Sequence, residues 1–319
     1  MVRLATRDWG DAAFGDLVVP DGPGHPASLG DPASSERPAG FRRSADPAGG
    51  GADGRRPLAV LAHGVTSSSR TWWRVAPALV EWGFRVLAVD LRGHGASTRI
   101  TDGLSLSDLA ADLAGTVQAH GVAGQPPIDL LVGHSLGALV VSQLLAARPG
   151  LARRLVLEDP PGLSTTDWAM LADGIEADSA RVRNDPEALR RDLQAESADW
   201  LPEEVERRIS DMADCDAAGI AAALRRQVVY DLPGLLRSVR VPTLLLIGEE
   251  ALGSALVGPD RAAVIEAPDQ GTVEVLPAGH NLHREAFDAF MAAVERWLGR
   301  GADLGLGPRD QRSVPGRQP

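Results

Sequence analysis

The sequence is poor in residues on which several classes of protein depend. Cys215 is the only cysteine among 319 residues, which excludes a disulfide framework and any metal site built from several cysteines. All 32 residues counted as Lys or Arg are arginine, so no lysine is present for Schiff-base chemistry or for a phosphate-binding P-loop. A chain with one cysteine is typical of a reducing compartment, and we predict a cytoplasmic location.

Long apolar runs and positive charge are also scarce. Asp8 and Trp9 come before any apolar run that could form the core of a signal peptide. The most apolar later stretch, residues 128–147, is interrupted by Asp129 and His134. We therefore expect neither a signal peptide nor a membrane span. With 43 acidic residues, a net charge of -11 and 4% aromatic residues, we do not expect nucleic acid as a partner.

Short apolar runs alternate with segments of helical spacing along the middle of the chain. The apolar runs predict strands at 58–62, 85–90, 128–132, 154–158, 243–247 and 272–276, and the helical spacing predicts helices at about 73–82 and 136–147. Such an alternation is typical of a parallel sheet covered by helices on both faces. The sequence therefore predicts an α/β fold.

The composition changes along the chain and predicts one core with one insertion. We predict a core formed by 1–160 and 232–300, a helical cap at 161–231 where the pattern becomes helical and charged, a disordered insert at 20–54, and a disordered tail at 301–319. The insert and the tail are rich in Gly and Pro and show no apolar periodicity, which is typical of segments that cannot bury a core.

One short motif has the pattern of a catalytic serine. Gly133-His134-Ser135-Leu136-Gly137 lies directly after a predicted strand and directly before a predicted helix, which is the context that gives a G-x-S-x-G motif meaning. The chain must reverse there within a few residues, so small residues avoid collisions and Ser135 takes a strained backbone conformation. A glycine-rich turn without chemistry is the structural alternative. We interpret Ser135 as a nucleophile at a helix N-terminus, where developing negative charge is favoured.

A serine hydroxyl needs a neighbouring base before it can attack a carbonyl group. Four histidines lie at predicted strand ends or turns, namely His63, His94, His134 and His280. His280 follows the last predicted strand and comes after Ser135 in the chain, which is the order that the G-x-S-x-G architecture uses. A histidine held by structural hydrogen bonds alone is the alternative. We predict His280 as the base and His283, one turn further on, as a supporting or surface residue.

Four segments in chain order resemble the serine-dependent α/β-hydrolase superfamily. They are His63-Gly64, Asp90-Leu91-Arg92-Gly93-His94-Gly95-Ala96-Ser97, Gly133-His134-Ser135-Leu136-Gly137 and Ala278-Gly279-His280-Asn281. The resemblance covers about residues 56–298 without most of the predicted cap. It implies an eight-stranded, mostly parallel sheet, a triad of serine, acid and histidine, and an oxyanion hole made by the backbone amides of Val65 and Leu136. Amides held in place need no reorganisation when charge develops on a carbonyl oxygen.

The acid of the implied triad has two candidate places. In many members of the superfamily it lies three residues after the glycine that ends the strand before the histidine-bearing one, and this sequence has Ala251 there. Glu250 or Glu249 could supply a carboxylate from a shifted loop. Asp159 occupies the second place used by relatives, at the end of the preceding strand. We favour Asp159 and keep Glu250 as the alternative.

These residues predict an enzyme that transfers an acyl group to water. Ser135 would form an acyl-enzyme with a carboxylic ester or lactone, His280 would move the protons, and neither a cofactor nor a metal is called for. Cleavage of a carbon–carbon bond, thioester cleavage and cofactor-free perhydrolysis are alternatives that use the same residues. A receptor of the same fold without turnover is a further alternative. We expect a small molecule as the substrate and predict no particular oligomeric state.

Overall fold

The computed structural model describes residues 2, 4–9, 16–18, 56–120, 128–164, 166–226 and 230–300. The predicted disordered insert at 20–54 and the predicted tail at 301–319 lie outside these residues. The account below refers to the described part of the chain.

Eight strands form one sheet. They are β1 Thr6–Trp9, β2 Asp16–Val18, β3 Leu58–Ala62, β4 Arg85–Val89, β5 Leu130–His134, β6 Leu155–Glu158, β7 Thr243–Ile247 and β8 Gly271–Val275. Their order across the sheet is β2-β1-β4-β3-β5-β6-β7-β8. Strand β1 pairs antiparallel with β2 and β4, and all other pairs are parallel. This confirms the α/β fold class with a mostly parallel sheet.

Eleven α-helices accompany the sheet in the described residues. They are α1 Val75–Glu81, α2 Leu106–His120, α3 Leu136–Ala147, α4 Trp168–Asn184, α5 Pro186–Glu196, α6 Pro202–Asp214, α7 Ala217–Arg225, α8 Leu232–Ser238, α9 Gly258–Ile265, α10 Leu282–Glu285 and α11 Phe287–Trp297. None of these described helices is long and apolar enough to cross a lipid bilayer.

The central strands are buried on both faces because helices cover both sides of the sheet. Along β3, Ala59 and Leu61 pack with α1 and α11, whereas Val60 and Ala62 pack with α2 and α3. Alternate residues of a strand point to opposite faces. A strand buried on both faces therefore reads as a continuous apolar run, which is why the sequence reveals these central strands.

Several predicted bounds differ from the structure. The strand predicted at 128–132 is β5 at Leu130–His134, because Ile128 forms only an isolated bridge with Ala152. The helix predicted from about 73 begins at Val75 and follows a short 3-10 turn at Ser69–Trp72. Strands β1 and β2 and helix α2 have no counterpart among the predicted elements. Strand β1, which lies between β2 and β4, has the sequence TRDW with half-buried Arg7 and Asp8, so it lacks the apolar run that marks the central strands.

Helices α4 to α7 stand between β6 and β7 in the chain and fall inside the segment predicted as a cap. Buried Asp211 of α6 joins this segment to the loop after β3. Its carboxylate accepts hydrogen bonds from Ser68 Oγ at 2.6 Å and Arg70 Nε at 2.9 Å. A charge-assisted contact of this kind fixes orientation as well as distance. Helix α6 is therefore tied to the loop that follows β3.

Candidate active site

Ser135 occupies the sharp turn between β5 and α3. Its backbone has φ 51° and ψ -117°, and the residue is buried. A positive φ is costly for a residue with a Cβ and persists only where the surrounding structure holds it. Here the Ser135 amide donates to the carbonyl oxygen of Glu158 at 3.0 Å. The turn places the serine directly before the first helical residue, Leu136.

The two glycines of the motif allow strand and helix to approach closely. A Cβ at Gly133 would lie 2.5 Å from the carbonyl oxygen of Gly137, and a Cβ at Gly137 would lie 2.2 Å from that of Ala62. Contacts below 3.0 Å between a Cβ and backbone atoms are essentially never seen in proteins. The close approach of α3 to β3 and β5 therefore requires glycine at both positions.

A chain of hydrogen bonds joins Ser135, His280 and Asp159. His280 Nδ1 is 2.7 Å from Asp159 Oδ2, and His280 Nε2 is 2.9 Å from Ser135 Oγ. A carboxylate only accepts hydrogen bonds, so the ring proton lies on Nδ1. Nε2 is then free to accept the hydrogen bond that the serine hydroxyl donates. This arrangement has the geometry of a nucleophile, a base and an orienting acid.

Asp159 is fully buried and is held by donors on every side. Its carboxylate accepts from the Gly248 amide at 3.0 Å, the Ser254 hydroxyl at 2.6 Å and the Ala255 amide at 2.7 Å, besides His280. The residue has a positive φ of 39°. Buried carboxylates are costly unless such donors surround them. The environment thus fixes the side chain in the position from which it orients the imidazole.

The alternative acids lie elsewhere. Glu250 is half exposed, and its carboxylate is 3.7 Å from Arg261 Nε. Glu249 is also exposed, and its amide donates to the carbonyl oxygen of Ala278 at 2.8 Å. Of the three carboxylates considered from the sequence, the structure brings only Asp159 into hydrogen-bond distance of His280.

Val65 and Leu136 both line the cleft that contains Ser135 and His280. Leu136 is the first residue of α3. The first amides of a helix have no intrahelical acceptor and point out of its N-terminus. Thr66, the residue after Val65, has a positive φ of 53°, so the loop after β3 turns sharply at this point. Both residues thus line the same cleft as the serine, and their backbone amides stay the predicted donors to an oxyanion.

Three further histidines are buried, and each has a structural contact. His134 Nε2 donates to the carbonyl oxygen of His280 at 3.0 Å. His63 Nδ1 donates to the Gly64 carbonyl oxygen at 2.7 Å, and its Nε2 accepts from the Leu91 amide at 3.0 Å. Burial lowers the pKa of His63 to about 4 and that of His134 well below its usual value. His94 Nδ1 is 3.1 Å from the Arg92 carbonyl oxygen, and burial lowers its pKa to about 3.

His283 belongs to the interior rather than to the surface. Its Nδ1 donates to buried Glu158 at 2.7 Å, and its Nε2 accepts from the Thr71 hydroxyl at 2.6 Å. Burial lowers the pKa of His283 well below its usual value and raises that of Glu158. The adjacent acids Glu158 and Asp159 thus each hold one histidine. The sequence signal for this second pair was the position of Glu158 next to Asp159 at a strand end.

His134, Glu158 and His283 also form the one described cluster whose ligand atoms lie close enough for a metal ion, within 4.8 Å of one another. All three side chains are buried, and Glu158 Oε1 accepts from the amide and the ring of His283, whereas Glu158 Oε2 has no hydrogen-bond partner in the described structure. His283 uses both ring nitrogens, and His134 Nε2 is engaged with His280. We therefore explain this cluster by hydrogen bonding behind the histidine loop.

The cleft has a volume of about 720 Å³ and lies between the sheet edge and the helices α4 to α7. Trp168, Leu171, Ile175 and Leu224 give it apolar walls from the helical segment. Cys215 lines it as well, but burial raises the pKa of its thiol. A thiol whose pKa is raised is a poor nucleophile at neutral pH. Ser135 and His280 are therefore the pair in this cleft whose hydrogen-bonded geometry suits acyl chemistry.

Replacing Gly137 by Ala tests the packing of the turn. The added methyl would press on the Ala62 carbonyl oxygen, and we expect a loss of about 3 kcal/mol in the free energy of unfolding. Gly174→Ala is the matched control, because a Cβ there meets nothing within 4 Å in helix α4, and it should gain about 0.5–1 kcal/mol. Urea unfolding measures both. Equal stability of the Gly137→Ala and wild-type proteins would contradict this account of the turn.

A family model and individual relatives both match this chain. The Alpha/beta hydrolase family matches residues 59–293. The chain is 30% identical over 256 residues to N-formylmaleamate deformylase of Pseudomonas putida, covering 77% of this chain and 90% of that protein. It is 35% identical over 268 residues to 2-(acetamidomethylene)succinate hydrolase of Mesorhizobium japonicum, covering 77% of this chain and 89% of that protein.

Solved structures agree with this result. The structure of a thermophilic esterase from Thermogutta terrifontis superposes with a TM-score of 0.62 and 25% sequence identity, covering 76% of this chain and 90% of the esterase. The family match extends over more than half of the chain and includes the segments that carry Ser135, Asp159 and His280. The chain therefore belongs to the alpha/beta hydrolase family.

Proposed function

We propose that the protein is a serine hydrolase that cleaves a carboxylic ester or lactone through an acyl-enzyme on Ser135. The observation that carries the proposal is the hydrogen-bonded chain from Asp159 through His280 to the Ser135 hydroxyl. As the hydroxyl attacks the carbonyl carbon, His280 Nε2 takes its proton, and Asp159 stabilises the imidazolium. The amides of Val65 and Leu136 hold the oxyanion.

The second half of the reaction reverses the proton movements. The imidazolium of His280 protonates the leaving alkoxide, and a water molecule then enters. His280 removes a proton from this water as it attacks the acyl carbon, and the proton passes to Ser135 Oγ when the acid leaves. The same groups act in both halves, so no cofactor enters the scheme.

An ester or lactone is the preferred substrate because an alkoxide leaves more easily than an amine. An amide-type bond is the second candidate, since two of the relatives are a deformylase and an acetamidomethylene-succinate hydrolase. Carbon–carbon bond hydrolysis, thioester cleavage and perhydrolysis use the same residues and stay as alternatives. All of them act on small molecules, as members of this family do. The cytoplasmic location expected from the single cysteine stays a prediction.

We also propose that residues 161–231 serve as a cap over the core formed by 1–160 and 232–300. Helices α4, α6 and α7 contribute walls of the cleft opposite Ser135. Such a roof excludes water and selects substrates by shape. Substrate choice is therefore expected to depend on the side chains of this segment more than on the sheet.

Replacing Ser135 by Ala should abolish hydrolysis across a panel of 4-nitrophenyl esters, because it removes the hydroxyl that is hydrogen-bonded to His280. The measurement is release of 4-nitrophenolate, with fluorophosphonate labelling of the same samples. Wild-type protein should be labelled and the variant should not. An unlabelled wild-type protein would favour a receptor without turnover, and full activity of the variant would refute the proposed nucleophile.

Asp159→Asn and Glu250→Gln separate the two candidate acids. An amide at 159 can hold the wrong tautomer of His280, and we expect kcat to fall by about 10⁴-fold. Glu250→Gln removes an exposed charge beside Arg261 and should leave kcat within about twofold. Steady-state kinetics on one ester, with urea unfolding as a check of folding, gives both values. A large loss for Glu250→Gln and a small one for Asp159→Asn would reverse the assignment.

A further inference from the structure

Arg208 of helix α6 lines the same cleft as Ser135 and His280. It is half-buried, and its Nη1 donates to the carbonyl oxygen of Thr66 at 2.5 Å. Within the described part of the chain it forms no ion pair at 4.0 Å or less. A guanidinium carries five N–H donors in a fixed fork. Most of these donors are therefore available to a ligand in the cleft.

The other arginine of the cleft is already paired. Arg284 is buried, with its Nε 3.5 Å from Glu204 Oε2, and its Nη2 donates to the Thr71 hydroxyl at 2.7 Å. Its charge is balanced inside the protein. Arg208 differs in that, among the described residues, its hydrogen bond is to a neutral carbonyl oxygen rather than to a carboxylate.

The acids near Arg208 have cations or donors of their own. Buried Asp211 is held by Arg70 at 2.9 Å. Asp178, which lines the cleft, is 3.8 Å from Arg181. Asp167 is exposed and caps α4 by accepting from the Met170 amide at 2.9 Å. None of these carboxylates lies within 4.0 Å of the Arg208 guanidinium in the described structure.

The environment of Arg208 disfavours an unpaired charge. Burial, with the repulsion of Arg284, lowers the pKa of Arg208 to about 10, opposed by the attraction of Asp211. The side chain remains protonated at neutral pH, and the more distant carboxylates of Asp211 and Asp178 offset only part of its desolvation. A bound anion would offset this cost and would gain two parallel hydrogen bonds if it were a carboxylate.

The anchor of Arg208 ties its guanidinium to the loop that carries a proposed oxyanion amide. Thr66 directly follows Val65, and consecutive Cα atoms are about 3.8 Å apart. The guanidinium is thus attached one residue from the proposed oxyanion amide. A group bound there would share the cleft with Ser135 and His280.

We propose that the cleft takes a substrate with a free carboxylate, held by Arg208, a few bonds from the acyl group that is cleaved. This inference rests on the proposed hydrolase function and names the substrate class of that site. It predicts selectivity for half-esters of short dicarboxylic acids, or acid-bearing lactones and amides of that size, over neutral compounds of equal length.

The test compares monoethyl esters of succinic, glutaric and adipic acid with the ethyl esters of butanoic, pentanoic and hexanoic acid. Wild-type kcat/KM should favour the half-esters at least about tenfold. Arg208→Gln should lower kcat/KM for the half-esters by about 10- to 100-fold, as expected for hydrogen bonds to a charged group, mainly through KM. The neutral esters should change by less than about threefold, which also shows that the variant is folded.

Two further variants sharpen the result. Arg191→Gln removes the same charge from an exposed position of α5 and should leave both ester series unchanged. Arg208→Lys keeps the charge without the planar fork and should restore part of the selectivity. An equal loss for half-esters and neutral esters in Arg208→Gln, or no wild-type preference for the half-esters, would overturn the inference.

Binding without turnover separates this inference from the proposed function. Calorimetry with glutarate on Ser135→Ala should give a dissociation constant at least about tenfold lower than on Ser135→Ala/Arg208→Gln. Equal binding overturns the carboxylate site whatever the enzyme does. Undiminished hydrolysis by Ser135→Ala would instead refute the nucleophile and leave the binding result to stand on its own.

Discussion

The structure depends on one constraint, the reversal of the chain between β5 and α3 at Ser135. The turn forces a positive φ on the serine and brings α3 so close to β3 that a Cβ at Gly137 would lie 2.2 Å from the Ala62 carbonyl oxygen. The packed sheet and helix hold this strain. The turn thereby places the Ser135 hydroxyl near Asp159, which directly follows β6, and 2.9 Å from Nε2 of His280 in the loop after β8.

Hydrogen bonds from neighbouring histidines hold the loop after β8 that carries His280. His134, next to the serine, donates to the backbone of His280, while His283 is held by Glu158 and Thr71. Both sides of the loop are therefore tied to the sheet by neutral imidazoles. Positioning of this kind is what a proton relay needs, because a small displacement of the base breaks its contact with the serine.

Much of this arrangement could be predicted from the sequence because its parts have local signals. Central strands buried on both faces give apolar runs, and the glycines around Ser135 mark the turn. Other parts have no local signal. Ser254 is distant from Asp159 in the sequence, and only the fold brings its hydroxyl and the nearby amides to that carboxylate. Arg208 lines the cleft but lies on a charged helix, whose sequence predicts a solvated surface. The choice between Asp159 and Glu250 likewise required the distance from each carboxylate to His280.

The central claim is that an acyl group passes through Ser135, and rapid-quench mass spectrometry measures this directly. Wild-type protein mixed with an activated ester and quenched in acid within the first turnover should carry the acyl mass on the peptide that contains Ser135. Acyl groups on a different residue, such as Cys215, or turnover with no adduct under conditions where deacylation limits the rate, would contradict the account.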